Sequence, residues 1–146
     1  MYATLEMLID GKFGAGSASK SEAVINPATE QSLAELPHAS GHDLEAAVAA
    51  AERGFAVWKA TNAYERCRIM RKGADLLRAR IDAIATILTL EQGKTLGESK
   101  VEVATAADIL DWYAEEGRRS YGRIVPGRVA GVRQMVLKEP VGIVAA

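Results

Sequence analysis

The chain holds one cysteine, Cys67, in 146 residues. That rules out an internal disulfide framework and fits a reducing compartment. It has no excess of either charge: 18 Lys and Arg against 19 Asp and Glu leave a net charge of −1. A dedicated nucleic-acid binder would carry a basic surplus. No apolar run approaches the roughly 20 residues of a membrane helix. The first residues carry Glu6 and Asp10 and no continuous apolar stretch, so a secretory leader is not expected. There is no internal repeat and no low-complexity tract. What is present, 49% hydrophobic and 25% charged residues, is the composition of one ordinary globular domain. The expected location is the cytoplasm, with no membrane and no nucleic acid as partner.

The opening segment has strand character. Met7-Leu8-Ile9 and Phe13 flank Asp10-Gly11, a pair suited to a tight hairpin turn. Phe13 to Ser21 is Gly/Ala/Ser-rich and predicts a loop. Val24-Ile25 is stopped by Asn26-Pro27, a turn signal, and Ser32 to Leu36 predicts a further short strand. From Ser40 the period becomes helical. Ser40 and Asp43 resemble a capping arrangement ahead of Leu44, Val48, Ala51, Phe55 and Trp58, spaced for one helix face. Asn62 and Glu65 open a second helix with Met70, Ala74, Leu77 and Ile81 in line. A third starts near Asp82 and ends at Gly93, a natural left-handed cap. Thr95 and Glu98 form a full capping box for a fourth, expected to run to Gly122. The last quarter predicts extended structure: Ile124-Val125 before Pro126-Gly127, Val132 to Leu137, and an almost wholly apolar Val141 to Ala146. So continuous an apolar run is typical of a strand buried on both faces of a parallel sheet. A parallel sheet needs further strands, so the chain is expected to be the front part of a larger α/β protein.

These pieces, in this order, resemble the amino-terminal part of the NAD(P)-dependent aldehyde dehydrogenases. The resemblance is carried by Ile9-Asp10-Gly11-Lys12-Phe13, Asn26-Pro27-Ala28-Thr29, Trp58, Glu65-Arg66, Glu91-x-Gly93-Lys94 and Glu139-Pro140-Val141-Gly142. The stretch from Trp112 to Gly122 is most similar to the succinate-semialdehyde dehydrogenase branch. The resemblance implies an α/β fold: an amino-terminal hairpin and the helical part of a Rossmann-like cofactor domain, cut at its first core strand. Residues 1–122 would be the amino-terminal part of the cofactor domain, 123–139 an oligomerisation arm, and 140–146 that first strand. It also implies oxidation of a small aldehyde, such as succinate semialdehyde, with NAD or NADP in a homodimer or homotetramer.

In the family a thiolate attacks the aldehyde, hydride leaves to the nicotinamide and activated water releases the acid. The matching Cys, Glu and Asn lie beyond position 146. No catalytic and no cofactor-binding residue is therefore assigned here, and the isolated chain is expected to be inactive and to bind no cofactor. Two sets are carried over from the family. Val101, Thr105 and Ile109 would line one side of the substrate channel. A carbonyl near Ile25 and the carboxylate of Glu91 would hold a monovalent cation, an ion suited to hard oxygen ligands.

Other tempting features have plainer explanations. Arg66 and Arg68 flank Cys67, but neighbours on a helix point about 100° apart, so Cys67 is expected to be structural. His38 and His42 lack a third ligand for zinc. Gly93-Lys94-Thr95 lacks the glycine five positions earlier that a phosphate loop requires, since Leu88 stands there. Gly11, Gly14 and Gly16 miss the dinucleotide spacing because position 19 is Ser19. The basic run Arg66, Arg68, Arg71, Lys72, Arg78 and Arg80 is expected to be a solvated face paired with Glu65, Asp75 and Asp82. The rival functional reading is a non-catalytic helical interaction module derived from the same family.

Overall fold

A computed structural model describes residue 2 and residues 4–146. Strands β1 (Met7–Ile9) and β2 (Lys12–Gly14) pair antiparallel around Asp10-Gly11. Both turn residues have positive φ, 53° and 74°, as the right-handed twist of a two-residue hairpin demands. Strands β3 (Ser21–Ile25) and β4 (Ser32–Pro37) form a second hairpin. Its turn is tied by Asn26, whose Oδ1 accepts the Ala28 N–H at 2.9 Å. The loop between these hairpins passes so close to His38 that a Cβ on Gly16 would fall 2.1 Å from the His38 carbonyl oxygen.

Four helices follow: α1 (Gly41–Ala60), α2 (Ala63–Ala79), α3 (Ile81–Gln92) and α4 (Leu96–Glu116). Helices α1, α2 and α4 start where their capping residues predict; α3 starts at Ile81 with no capping side chain, so Ile81 belongs to α3 and not to the apolar line of α2, which ends at Ala79. The Thr95–Glu98 box is closed in both directions, at 3.0 and 3.3 Å, and Asn62 Oδ1 accepts the Glu65 N–H at 3.0 Å. Helix α3 ends at Gly93 with φ 73°. Helix α4 ends earlier than its sequence predicts, at Glu116 rather than Gly122. A 3-10 turn, Gly117–Arg119, takes over. There Arg118 and Arg119 each reach back three residues to Glu115 and Glu116, both at 3.1 Å, a spacing that a 3-10 turn aligns.

Asp43 does more than cap α1. One of its oxygens accepts the Ser40 and Ser17 backbone N–H groups, each at 2.8 Å, and the Ser17 hydroxyl at 2.8 Å. It therefore fastens the Gly/Ser-rich loop to the helix start. The backbone donors of Ser40 and then Ser17 hold its carboxyl far below the usual carboxylate range. Because the folded value is depressed, the stabilisation is complete above the unfolded value of about 4 and is lost as pH falls toward the folded one. Asp43→Asn should therefore lower the melting temperature at neutral pH, with the gap to wild type closing as the pH is taken below 4. A pH-independent gap would mean that the charge is not what matters.

The core lies where α2, α3 and α4 meet. Its sealed residues are Cys67 and Ala74 of α2, Ala85 of α3, and Ser99, Val103, Ala107 and Ala114 of α4. Positions 99, 103, 107 and 114 fall on one face of α4. Small side chains there let the helices approach closely. The Ser99 hydroxyl is satisfied by Thr89 Oγ1 at 2.8 Å, as a buried polar group must be.

Two expected burials do not occur. The apolar face of α1 is left largely open: the helix touches β1 but no α1 residue is buried, and Leu44, Val48 and Trp58 are exposed. The strand expected over 140–146 is absent. β5 (Arg123–Pro126) and β6 (Arg133–Val136) close a third antiparallel hairpin, after which the backbone joins no strand ladder among the described residues and Val141 is 92% exposed. A strand exists only through a neighbour's ladder, and the described sheets are three separate two-stranded hairpins. The accessible surface is correspondingly large. It is 11264 Å² for 15.6 kDa, against roughly 7200 Å² for a compact monomer of that mass.

Candidate functional site

Val101, Thr105 and Ile109 recur every four residues, which sets them along one line of α4. At 100° per residue that line is nearly opposite the sealed face of Ser99, Val103 and Ala107. The structure thus brings the three residues together as an open stripe, with Val101 66% and Ile109 51% exposed. The Thr105 hydroxyl is turned back onto the Val101 carbonyl at 2.9 Å, which leaves its methyl to continue the apolar surface. Sequence reasoning missed Trp112, which extends the same line and is 67% exposed. Its spacing of seven from Thr105 was the available signal. No Lys or Arg lies on the line.

The cation pair sits at another place. The Asn26-Pro27 turn that follows Ile25 packs on the end of α3: a Cβ on Gly93 would lie 3.0 Å from Pro27 Cγ. This contact brings the segments of Ile25 and Glu91 into one neighbourhood. Glu91 is not idle, however, because its carboxylate accepts the phenol of Tyr2. Burial first, and then this bond, push the Tyr2 phenol up to about 12. Among the described residues no group of three His, Cys, Asp or Glu is placed to hold a metal ion. A carboxylate and a carbonyl oxygen suit a monovalent cation, provided the phenol leaves.

Cys67 is buried between α2 and α4, its thiol 3.6 Å from Glu115 Oε1. The flanking cations turn elsewhere, Arg66 onto the Thr61 carbonyl and Arg68 onto Glu65 at 2.6 Å. The basic run is partly as expected, since Glu65 and Asp75 do pair with it. Further partners come from α4: Arg71 meets Glu115 at 3.2 Å, and Arg78 meets Asp108 and Asp111, both at 2.7 Å. Asp82 was the wrong partner, because it pairs with Lys100 at 2.7 Å. Positions that rise along α2 meet positions that fall along α4, so the two helices run antiparallel. Gly93-Lys94-Thr95 is a helix stop followed by a helix start, with Lys94 paired to Glu102. His38 is in the loop before α1, its Nε2 3.5 Å from Glu22. For the cofactor, Gly11 and Gly14 belong to a hairpin and Gly16 to a loop, and none opens a helix as a pyrophosphate cradle would.

With this geometry in hand, comparison with known proteins is informative. The chain is 45% identical, over its whole length, to 4-(hydroxymethyl)benzenesulfonate dehydrogenase TsaD1 of Comamonas testosteroni, and covers 31% of that protein. It is 38% identical over 97% of its length to the NADP(+) succinate-semialdehyde dehydrogenase GabD of Escherichia coli, covering 29% of it. The crystal structure of succinate-semialdehyde dehydrogenase from Burkholderia pseudomallei superposes with a TM-score of 0.89. That comparison is at 39% identity and covers 94% of this chain and 29% of the other. The chain thus spans about 30% of the length of the curated relatives it matches, their amino-terminal part. The sequence pattern of the aldehyde dehydrogenase family matches residues 14–146, and the chain belongs to that family.

Proposed function

We propose that this chain is the amino-terminal portion of an NAD(P)-dependent aldehyde dehydrogenase acting on a small aldehyde with an anionic far end. The observation that carries this is the unbroken match of nearly the whole chain to about 30% of enzymes named for succinate semialdehyde and for a benzenesulfonate. Those names share a carboxylate or sulfonate remote from the carbon that reacts. Succinate semialdehyde is the first substrate to assay.

In this reading the nucleophile, the base and the cofactor site are supplied by the rest of the polypeptide. This chain contributes surfaces. The stripe Val101, Thr105, Ile109 and Trp112 forms one wall of the aldehyde channel. It carries no cation, so the anionic end of the substrate is held elsewhere. The hairpin β5–β6, exposed along both strands, serves as the arm that pairs subunits into a cytoplasmic dimer or tetramer. Glu91 and the carbonyl of Ile25 hold a monovalent cation.

The test is to express this chain beside the full-length polypeptide and follow NAD(P)H formation with succinate semialdehyde and an aromatic sulfonate aldehyde. The full-length protein should turn over at least one of them, and the 146-residue chain neither. Turnover by the short chain would sink the division of labour. Failure of the full-length protein on every aldehyde would favour the non-catalytic helical module.

A further inference from the structure

A cleft of about 210 Å³ opens where the start of α2 meets the 3-10 turn that follows α4. It is lined by Tyr64, Glu115, Arg118, Arg119 and Tyr121. The turn builds it. Helix α4 stops at Glu116, and the tighter Gly117–Arg119 turn brings two successive guanidiniums to one cleft. The Tyr121 N–H then closes onto the Arg119 carbonyl at 2.7 Å, which keeps the second phenol beside them.

Neither arginine is fully engaged. Arg119 uses its Nε, on Glu116 Oε2 at 3.1 Å. Its two terminal nitrogens have no acceptor among the described residues. They are the fork that grips an oxyanion through two parallel hydrogen bonds. Arg118 sits over the Tyr64 ring, 4.6 Å from its centroid, and gives one nitrogen to Glu115 Oε2 at 3.1 Å. Glu115 can release it. Its other oxygen, Oε1, holds Arg71 at 3.2 Å and the Cys67 thiol at 3.6 Å, so the carboxylate would keep a cation and a second donor. Both arginine pairs are partly exposed, and ion pairs of that kind contribute little. The lining holds two guanidiniums and one carboxylate, one positive charge in excess. Its remaining walls are aromatic, with Tyr64 and Tyr121 both well exposed. The space equals roughly seven waters at ~30 Å³ each, more than a bare oxyanion fills.

We propose that this cleft binds an aromatic ring bearing a singly charged oxyanion, an aryl sulfonate or aryl carboxylate. The Arg119 fork takes the oxyanion, Arg118 turns from Glu115 to join it, and the ring packs on Tyr121. The site is complete within this chain, so it does not depend on the dehydrogenase reading.

Hydrogen exchange read by mass spectrometry on the full-length protein reports on the cleft itself. The readout is a peptide covering residues 117–123, with a peptide from α3 as the folding control. Benzenesulfonate and benzoate are titrated at constant ionic strength, beside methanesulfonate and benzyltrimethylammonium. At least one aryl anion should slow exchange of the turn, with half-saturation at about 1 mM, a usual strength for so small a ligand. At ten times that concentration exchange should be about tenfold slower. Methanesulfonate, which has no ring, should need about tenfold more, and benzyltrimethylammonium should do nothing. Arg119→Gln should raise half-saturation about tenfold or more. Arg119→Lys should recover only part of that, since an ammonium has no fork. Tyr121→Leu should erase the preference for the aryl over the methyl sulfonate.

No protection of the turn by either aryl anion overturns the proposal. Equal protection in wild type and Arg119→Gln also overturns it, because the ligand would then act on the turn from elsewhere. Protection by benzyltrimethylammonium would leave ring contact as the whole attraction and overturn the oxyanion grip. Equal potency of methanesulfonate would mean that the cleft takes any small anion, and would overturn the aromatic part.

Discussion

Ala107→Leu should cost the helical core about 3 kcal/mol, the upper end of what forcing extra methylenes into a packed interior usually costs. Ala107 is completely sealed, and so are Ala74 on α2 and Ala85 on α3. Where three helices meet through alanines, the neighbours of a new side chain are backbones and methyl groups. Neither can rotate aside. Three added carbons must push helices apart, and each displacement loses dispersion contacts along a whole seam. The loss is also a large share of the total, because a domain of this size rarely exceeds 5–15 kcal/mol of stability. Urea unfolding followed by circular dichroism checks it, with Ala106→Leu as control. Ala106 is next to it on the same helix but exposed, so its replacement should change stability by no more than about 0.5 kcal/mol. Equal behaviour of the two variants would show that the seam is not packed as described.

Thr105→Trp in the full-length protein should raise KM for bulky aldehydes by an order of magnitude or more, with folding intact. Steric changes in an apolar pocket are worth about 1–3 kcal/mol, or 10–200-fold in specificity. Thr105 sits in the middle of the Val101–Trp112 stripe, exposed and remote from the helix seam, so the indole adds bulk on the open side only. The effect should grow with the size of the aldehyde and be least for succinate semialdehyde. A KM independent of substrate size would remove α4 from the channel.

What the sequence made legible was local. Capping boxes work across three residues, so Ser40–Asp43 and Thr95–Glu98 announce their helices. The turns at Asp10-Gly11 and Gly93 follow from which residues tolerate positive φ. Pairing across helices was not legible in the same way. Arg78 keeps a looser contact with Asp75 on its own helix, at 3.8 Å, but its short pairs are with Asp108 and Asp111 because α4 runs antiparallel to α2. Periodicity also overreached. It marks a face that is suited to burial, and Leu44, Val48 and Trp58 have such a face that stays largely open. The same holds for Val141 to Ala146. The bond from Tyr2 to Glu91 left no trace in the sequence at all, since nothing in either residue's surroundings names the other.

The large accessible surface also bears on how sharply this chain can melt. Denaturant sensitivity and the heat-capacity increment both scale with the area newly wetted on unfolding. A chain that keeps some 11264 Å² in water while folded has less left to expose than a compact one of equal mass. Its m-value should therefore be low and its thermal transition broad. A partner that covers the open faces would steepen the curve as well as shift it, so cooperativity, more than midpoint, is the sensitive report of docking.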